Sequence, residues 1–293
     1  GGPRPAGASR RRVVEAMTRW VLAIGMSLGL ASTASAEWYQ DTYYGGSGYG
    51  LLSGAVGLHY QANADFWNRL NEILTKSGAT VTQNLSTVVG TWGLGVGYRT
   101  HAHQFELWYR QFFPAAATWT WPAGTVAKNQ GRTEVASSAI GAVYRYMVRT
   151  VTPEVRSGAS LSRGVTLEPF VGLGASIQTI SWTLRDPLIG VGLQQTGGGQ
   201  VTVYDPDIEG KMIGVELLGG VKIGLGRSLD LDLEVGNLFG SVTEFKVQNA
   251  PSSGGTYLPL YYGATGQTVT MDLGGFTGAA RLSWRFRTGG GAS

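Results

Sequence analysis

The stretch TWGLGVGYRTHAHQFELWYRQFF, Thr91 to Phe113, decides how the chain is read. Its two arms alternate residue by residue, as extended strands do. Trp92, Leu94, Val96 and Tyr98 share one face, opposite Thr91, Gly93, Gly95 and Gly97. Beyond the short turn RTHAH, Phe105, Leu107 and Tyr109 oppose Gln104, Glu106, Trp108 and Arg110. This is a hairpin with one apolar face and one small or charged face, and the fold turns on which of them looks inward.

The same period-two alternation recurs in eight segments, near 49–60, 86–99, 103–113, 133–149, 165–183, 210–225, 228–246 and 275–286. Four connections are long (61–85, 114–132, 184–209 and 247–274), and they alternate with shorter ones. That rhythm predicts an all-β, antiparallel, up-and-down barrel of eight strands, with its long loops at one end and both termini at the other. Ten strands are the alternative, if hairpins within 184–209 or 247–274 join the sheet. Segments 189–195 and 255–262 lack a clean apolar face, which favours eight.

Parity then sorts the side chains. Ile213, Val215, Leu217, Val221 and Ile223 oppose Gly214, Glu216, Gly220 and Lys222; Leu229, Leu231, Leu233 and Val235 oppose Asp230, Asp232 and Glu234. A water-soluble carrier would turn the apolar face inward. Its outside would then be mostly glycine, serine and a few charges, a poor aqueous surface. The apolar face is therefore expected to meet lipid. The inward set is Glu106, Arg110, Arg145, Glu168, Glu216, Lys222, Asp230, Asp232, Glu234, Arg281 and Arg285, while Tyr98, Tyr144, Tyr146, Trp284 and Phe286 form an aromatic girdle at the short-turn end.

Composition agrees. The 293 residues include 46 glycines, and only 14% are charged, against roughly 25% in an ordinary soluble domain. No apolar run reaches the ~20 residues of a transmembrane helix. Cysteine is absent, which excludes disulfides and thiolate metal sites. MTRWVLAIGMSLGLASTASA, Met17 to Ala36, has the basic start, apolar core and small-residue ending of a secretory signal peptide. Residues 1–36 thus read as an extension plus a cleaved leader starting at Met17, 37–48 as a periplasmic segment, 49–286 as an outer-membrane barrel and 287–293 as a short tail. Without Arg4, Arg10, Arg11, Arg12, Arg19 and Glu15, the 23 basic and 19 acidic residues fall to 18 of each. The mature chain is formally neutral, and nucleic-acid binding loses its only global support.

The interior of an eight-stranded barrel holds its own side chains or one small ligand, and isolated buried charges are costly. The inward charges are therefore expected to form a salt-bridged, closed plug; a polar path for small solutes is the alternative. No cofactor, metal or catalytic group is expected. His101 and His103 are too few for a metal site and read as a solvated turn. His59 faces inward near the long-loop end, but no His-x-Ser sequence accompanies it, so a lipid acyl hydrolase is a distant third reading. In the first long loop, Asn63 or Asp65 is placed to cap a helix whose Phe66, Leu70, Ile73 and Leu74 share a face and which Gly78 stops. TWTWPAG in the second and GTYLPLYYG in the fourth are expected to expose aromatics to a surface molecule or to each other. GVGLQQTGGGQVTVYD in the third reads as a hairpin about Gly197–Gly199 that extends the neighbouring strands.

Over residues 49–286 the chain resembles small outer-membrane β-barrel proteins of the OmpA, OmpX and OmpW type. The resemblance is carried by LEPFVGLGAS (Leu167–Ser176) and the closing ARLSWRF. It implies an outer-membrane location with periplasmic termini, and partners that include outer-membrane lipid, lipopolysaccharide and the barrel-assembly machinery. In that family the machinery reads a final strand ending in an aromatic, here Leu282, Trp284 and Phe286, although RTGGGAS follows. A monomer displaying its loops for envelope structure or for a surface partner is the expected role. A narrow channel, or an OmpW-like transporter of hydrophobic solutes, is the alternative. Peptidoglycan tethering is not expected, because only seven residues follow Phe286.

Overall fold

Eight strands close on themselves in the computed structural model, which describes residues 48–62, 64–125, 129–148, 166–194, 200–225, 228–248, 257–263 and 265–287. They are β1 (Tyr49–Gln61), β2 (Val88–Thr100), β3 (His103–Thr120), β4 (Gln130–Met147), β5 (Thr166–Arg185), β6 (Asp207–Gly224), β7 (Leu229–Phe239) and β8 (Gly275–Arg287). Each pairs antiparallel with the next, and β8 pairs with β1 from Tyr49↔Arg287 to Gln61↔Gly275. Residues 1–36, read from the sequence as an extension and leader, residues 37–47, most of the connection between β4 and β5, and the residues after Arg287 lie outside the described residues.

The register fixes the barrel's width. Paired residues followed round the wall from Ile213 run through Ile177, Ile140, Tyr109, Leu94, Gly54, Leu282 and Leu231. They return to β6 at Ile223, ten residues from the start. Eight strands with that stagger tilt by roughly 35–45° and enclose a bore that side chains fill.

Every residue on that circuit points outward. Ile140, Ile177 and Ile213 stand 68%, 62% and 76% exposed, while Arg145 and Asp232 are fully buried inside. This inside-out distribution, with every strand paired on both sides, is that of a transmembrane barrel.

The wall is uneven. β3 to β6 have 18, 18, 20 and 18 residues, whereas β1, β2, β7 and β8 have 13, 13, 11 and 13. Four strands therefore stand above the rest at the long-loop end, and their polarity inverts there. On β5, Val171, Leu173 and Ile177 point outward, but higher up Ile180, Trp182 and Leu184 point inward and are buried. On β3 the inversion coincides with a bulge. The pairing shifts between Phe112 and Ala115, around Pro114, and turns Ala115, Ala117 and Trp119 inward.

The open side of this tall half-wall is filled by α1 (Ala64–Lys76), short strands at Thr80–Gln83 and Phe245–Val247 that pair with β3 and β6, and a two-stranded pairing of Ser241–Val242 with Met271–Asp272. Phe66, Trp67, Leu70, Ile73 and Leu74 form the buried face of α1. Asp65 lies in the first turn, where a carboxylate suits the helix dipole; the helix begins before it, and Asn63 is outside the described residues. Gly78, at φ +89°, ends the helix. The Gly78 amide donates to Thr75 O (3.1 Å) and the Ala79 amide to Leu74 O (2.9 Å), the paired bonds of a Schellman cap.

Several sequence expectations are corrected. β3 runs seven residues past 113, because the bulge lets the strand continue through Pro114. The strand read over 228–246 stops at Phe239, where the chain leaves the wall. The third-loop hairpin does not extend β5 and β6: Val191–Gln194 and Gln200–Val203 form a separate three-stranded sheet with Leu260–Tyr262. Of the aromatics in the second and fourth loops, Trp119, Trp121 and Tyr262 are buried rather than displayed, while Tyr257 and Tyr261 are half-exposed.

Nitroxides at Ile140, Ile177 and Ile213 in vesicles are expected to be quenched by oxygen and shielded from a water-soluble nickel chelate, with the reverse at Thr183. Nickel-accessible labels at the three isoleucines would overturn the orientation of the wall.

Candidate functional site: the charged lumen and its apolar cap

Arg145 on β4 lies at the centre of the lumen. Its guanidinium donates to Glu106 on β3 and, at 3.2 Å, to both carboxylate oxygens of Glu234 on β7. Arg281 on β8 closes the circuit, donating through Nε to Glu234 (2.6 Å) and through Nη1 to Glu106. Ser53 Oγ donates to Glu106 (2.5 Å) and accepts from Arg281 (3.2 Å). Gly95 leaves the space this requires, since a Cβ there would collide with the Glu106 carboxylate and Ser53 Oγ. Two arginines and two glutamates thus span the bore between two adjacent strand pairs, β3–β4 and β7–β8.

Above this ring Arg110 makes a forked pair with Glu216 (3.0 and 3.4 Å), and its guanidinium lies 4.5 Å from the Trp108 ring centroid. Below it, towards the short turns, Lys222 sits 3.4 Å from Asp232 and 3.8 Å from Asp230, and Arg285 is 3.2 Å from Asp230. Glu168 is held by Arg99 at 2.5 and 3.1 Å. Arg99 was missing from the sequence reading, which ended the segment at that position without assigning its face. Its parity matches Thr91 and Gly95, so the signal was present. With it, six acids face six bases among the described lumen residues. The charges are paired as buried charges must be.

The girdle residues point outward at the short-turn end. Tyr98 and Phe105 are paired across β2 and β3, Phe105 lies 5.0 Å from Tyr144 and Trp284 lies 6.0 Å from Phe286. Tyr146 joins through His103, whose Nδ1 is 2.7 Å from the Tyr144 hydroxyl. His103 is therefore a girdle residue, while His101 takes the turn with φ +50°. Leu282, Trp284 and Phe286 share the exposed face of β8. His59 lies inside, its Nε2 3.0 Å from Leu273 O and its ring edge against Phe112.

Over the charged layer sits an apolar core. Phe66 of α1 meets Trp182 edge-on (centroids 5.1 Å apart), and Trp182 packs against Phe245 (6.3 Å). Burial there pushes the Tyr262 phenol above its ordinary pKa, slightly opposed by Arg69. One carboxylate is enclosed in this cap. Asp186, just past β5, accepts from the indoles of Trp119 (2.5 Å) and Trp121 (2.9 Å) and from the backbone amides of Leu188 and Ile189 (2.7 Å each). Its own amide donates to Asp205 (2.8 Å). A Cβ on Gly131 would collide with Trp119 and this carboxylate. Asp186 thus ties the second long loop to the third. The sequence reading missed it because the bulge that turns both indoles inward was not anticipated.

No protein-family model and no curated protein matches the chain. Among solved structures it is similar to Neisserial surface protein A (14% identity, covering 81% of this chain and 97% of that one, TM-score 0.35). It is also similar to the outer membrane protein OprG from Pseudomonas aeruginosa (10%, 83% and 97%, TM-score 0.38). A third is the outer membrane protein AlkL in lipid bilayers (15%, 88% and 100%, TM-score 0.37).

Arg145→Leu leaves the buried Glu106 and Glu234 to share Arg281 alone and is expected to lower unfolding stability by about 3–5 kcal/mol. Arg132→Leu, which removes the exposed partner of Glu134, should cost at most about 1 kcal/mol. Equal effects in urea titrations would refute the special weight given to the ring. Asp186→Ala leaves four donors unanswered and is expected to red-shift tryptophan emission and admit protease to the cap, while the barrel keeps its heat-modifiable gel mobility. Unchanged emission and protection would show that the carboxylate is not the tie.

Proposed function

We propose that this chain is an outer-membrane barrel with a closed lumen, whose folded cap is presented at the cell surface for envelope structure or partner binding. Tyr49 and Arg287 then lie on the periplasmic side, and Leu282, Trp284 and Phe286 serve as the assembly signal. The observation that carries the reading is the stacking of two unlike layers across one bore: the Glu106–Arg145–Glu234–Arg281 ring, and above it the apolar core sealed by α1. An ion meeting the first layer would have to break the ring's buried ion pairs, and one meeting the second would lose its hydration without replacement. The reading assigns no catalytic residue: His59 is engaged by Leu273 O and Phe112, fully buried near the long-loop end of the lumen.

Protein from Glu37 onward, refolded and shown by protease protection to be inserted, is expected to give no single-channel steps in a planar bilayer. Reproducible steps would replace this reading with the channel or transporter alternative and make the lumen charges the lining of a passage.

A further inference from the structure

Charge is distributed unevenly over the cap. Residues 187–204 and 249–271 contain no Asp, Glu, Lys, Arg or His, and the two stretches pair in the three-stranded sheet of Leu260–Tyr262, Val191–Gln194 and Gln200–Val203. The faces of this sheet differ. Val191, Leu193, Leu260 and Tyr262 point into the cap's core and are buried. The opposite face carries the pairs Gly192↔Tyr261 and Gly192↔Thr202, and a bridge continues the row from Tyr261 to Thr268. Thr202 and Thr268 are exposed and Tyr261 is half-exposed. Tyr204, directly beyond the strand, is 53% exposed.

Gly192 opens a slot in that row. Among the described residues, a Cβ there would meet only Tyr261 O at 3.5 Å and Tyr261 Cβ at 3.6 Å. The slot thus has an aromatic wall, a hydroxyl wall and a floor of bare backbone, its walls on strands about 10 Å apart. The face is small. Strands of four, four and three residues cover roughly 200 Å², against about 800 Å² per partner in a stable protein–protein interface. A second copy or another folded protein therefore does not fit it. With no Lys or Arg it offers nothing to a phosphate or sulfate, and with no Asp or Glu nothing to a cation.

We propose that this face binds a neutral oligosaccharide presented from outside the cell. A pyranose ring has an apolar C–H face that packs on an aromatic ring such as Tyr261. Hydroxyls around its rim both donate and accept, as do those of Thr202 and Thr268. Its lack of charge matches a sheet from which charge is absent. The saccharide of the cell's own outer leaflet is rooted in phosphate-bearing headgroups, for which the face has no base; an incoming neutral glycan meets no such mismatch. A single contact of this size is weak, and many barrels in one membrane make it multivalent. This inference rests on the reading of a surface-displayed cap and names the chemistry of its partner.

Protein from Glu37 onward, reconstituted in fluorescent phosphatidylcholine vesicles, is applied to an array of immobilised uncharged, sialylated and sulfated oligosaccharides, with empty vesicles as the blank. Retention is expected on uncharged sugars, unstrengthened by sialylation or sulfation. It should fall about tenfold with Tyr261→Ala, as loss of an aromatic contact implies, and as far with Gly192→Gln, whose side chain occupies the slot. The space above Gly192 admits that side chain, so Gly192→Gln keeps its heat-modifiable gel mobility even where Tyr261→Ala does not fold. No retention, or retention that Gly192→Gln leaves unchanged, overturns this inference while an antibody still reaches an epitope inserted after Gly266 on intact cells. An epitope that no antibody reaches overturns the displayed cap, and this inference with it. Retention on sialylated or sulfated sugars alone overturns the neutral assignment. Retention lost when lipopolysaccharide fills the outer leaflet of the vesicles gives the face to the membrane's own saccharide and overturns the outside source.

Discussion

A backbone amide or carbonyl in hydrocarbon has no water to turn to, so each must be answered within the chain. Everything else in this molecule depends on that constraint. An open sheet would leave two edges unpaired; pairing β8 with β1 abolishes them. Closure with eight strands and a stagger of ten then sets the bore, and the bore sets what the interior can contain. There is room for side chains and little else, so the inward glycines are as consequential as the inward charges. Gly95 is the clearest case, because the carboxylate that anchors the ring occupies the place of its missing side chain.

Within that bore, pairing is the only arrangement open to so many charges. A buried ion pair contributes modestly to stability, but one stranded charge is expensive. The network is therefore constrained as a set: Glu106 engages two arginines, Glu234 the same two, and neither arginine can be lost without leaving two buried acids to share one base. The four residues come from β3, β4, β7 and β8. A register slip in any one of these strands would carry its charge to the lipid face, so the ring also specifies the register that closure requires.

Parity made much of this legible in the sequence. A face reading Trp-x-Leu-x-Val-x-Tyr opposite glycines cannot be the inside of a barrel whose other face carries the charges, and the lumen acids and bases follow by counting in twos. Arg99 obeys the same count, one residue short of the end of β2, although the segment read from the sequence stops there without giving it a face. The cap was less legible, for a physical reason. Counting in twos fails at a bulge, and the extra residue near Pro114 reverses the faces of Trp119 and Trp121. Aromatics beside Pro and Gly then resemble display loops when they are core. The partner that buries them, Asp186, lies 65 residues beyond Trp121 in the chain, and no local pattern connects the two.

The tall strands carry a further rule that the barrel alone does not require. Along β5 the apolar residues, Phe170 excepted, occupy odd positions through Ile177 and even positions from Ile180, while the pairing with β4 runs on without a bulge. The strand is continuous; its surroundings change. Below the switch the outside is lipid and the inside is charged, while above it the outside is polar and the inside is the cap's core. β6 switches between Met212 and Ile213, and β4 between Val135 and Ile140. β3 switches by its bulge instead, keeping its apolar residues nearly in phase while the backbone changes face. The inversion therefore marks on each strand where one solvent gives way to another, and it explains why four strands continue past the bilayer. A half-wall with an apolar inner face must be covered, and α1 with the short strands beside it is the covering. The cap is thus not a set of independent loops on a finished barrel but the second half of the same four strands' burial problem.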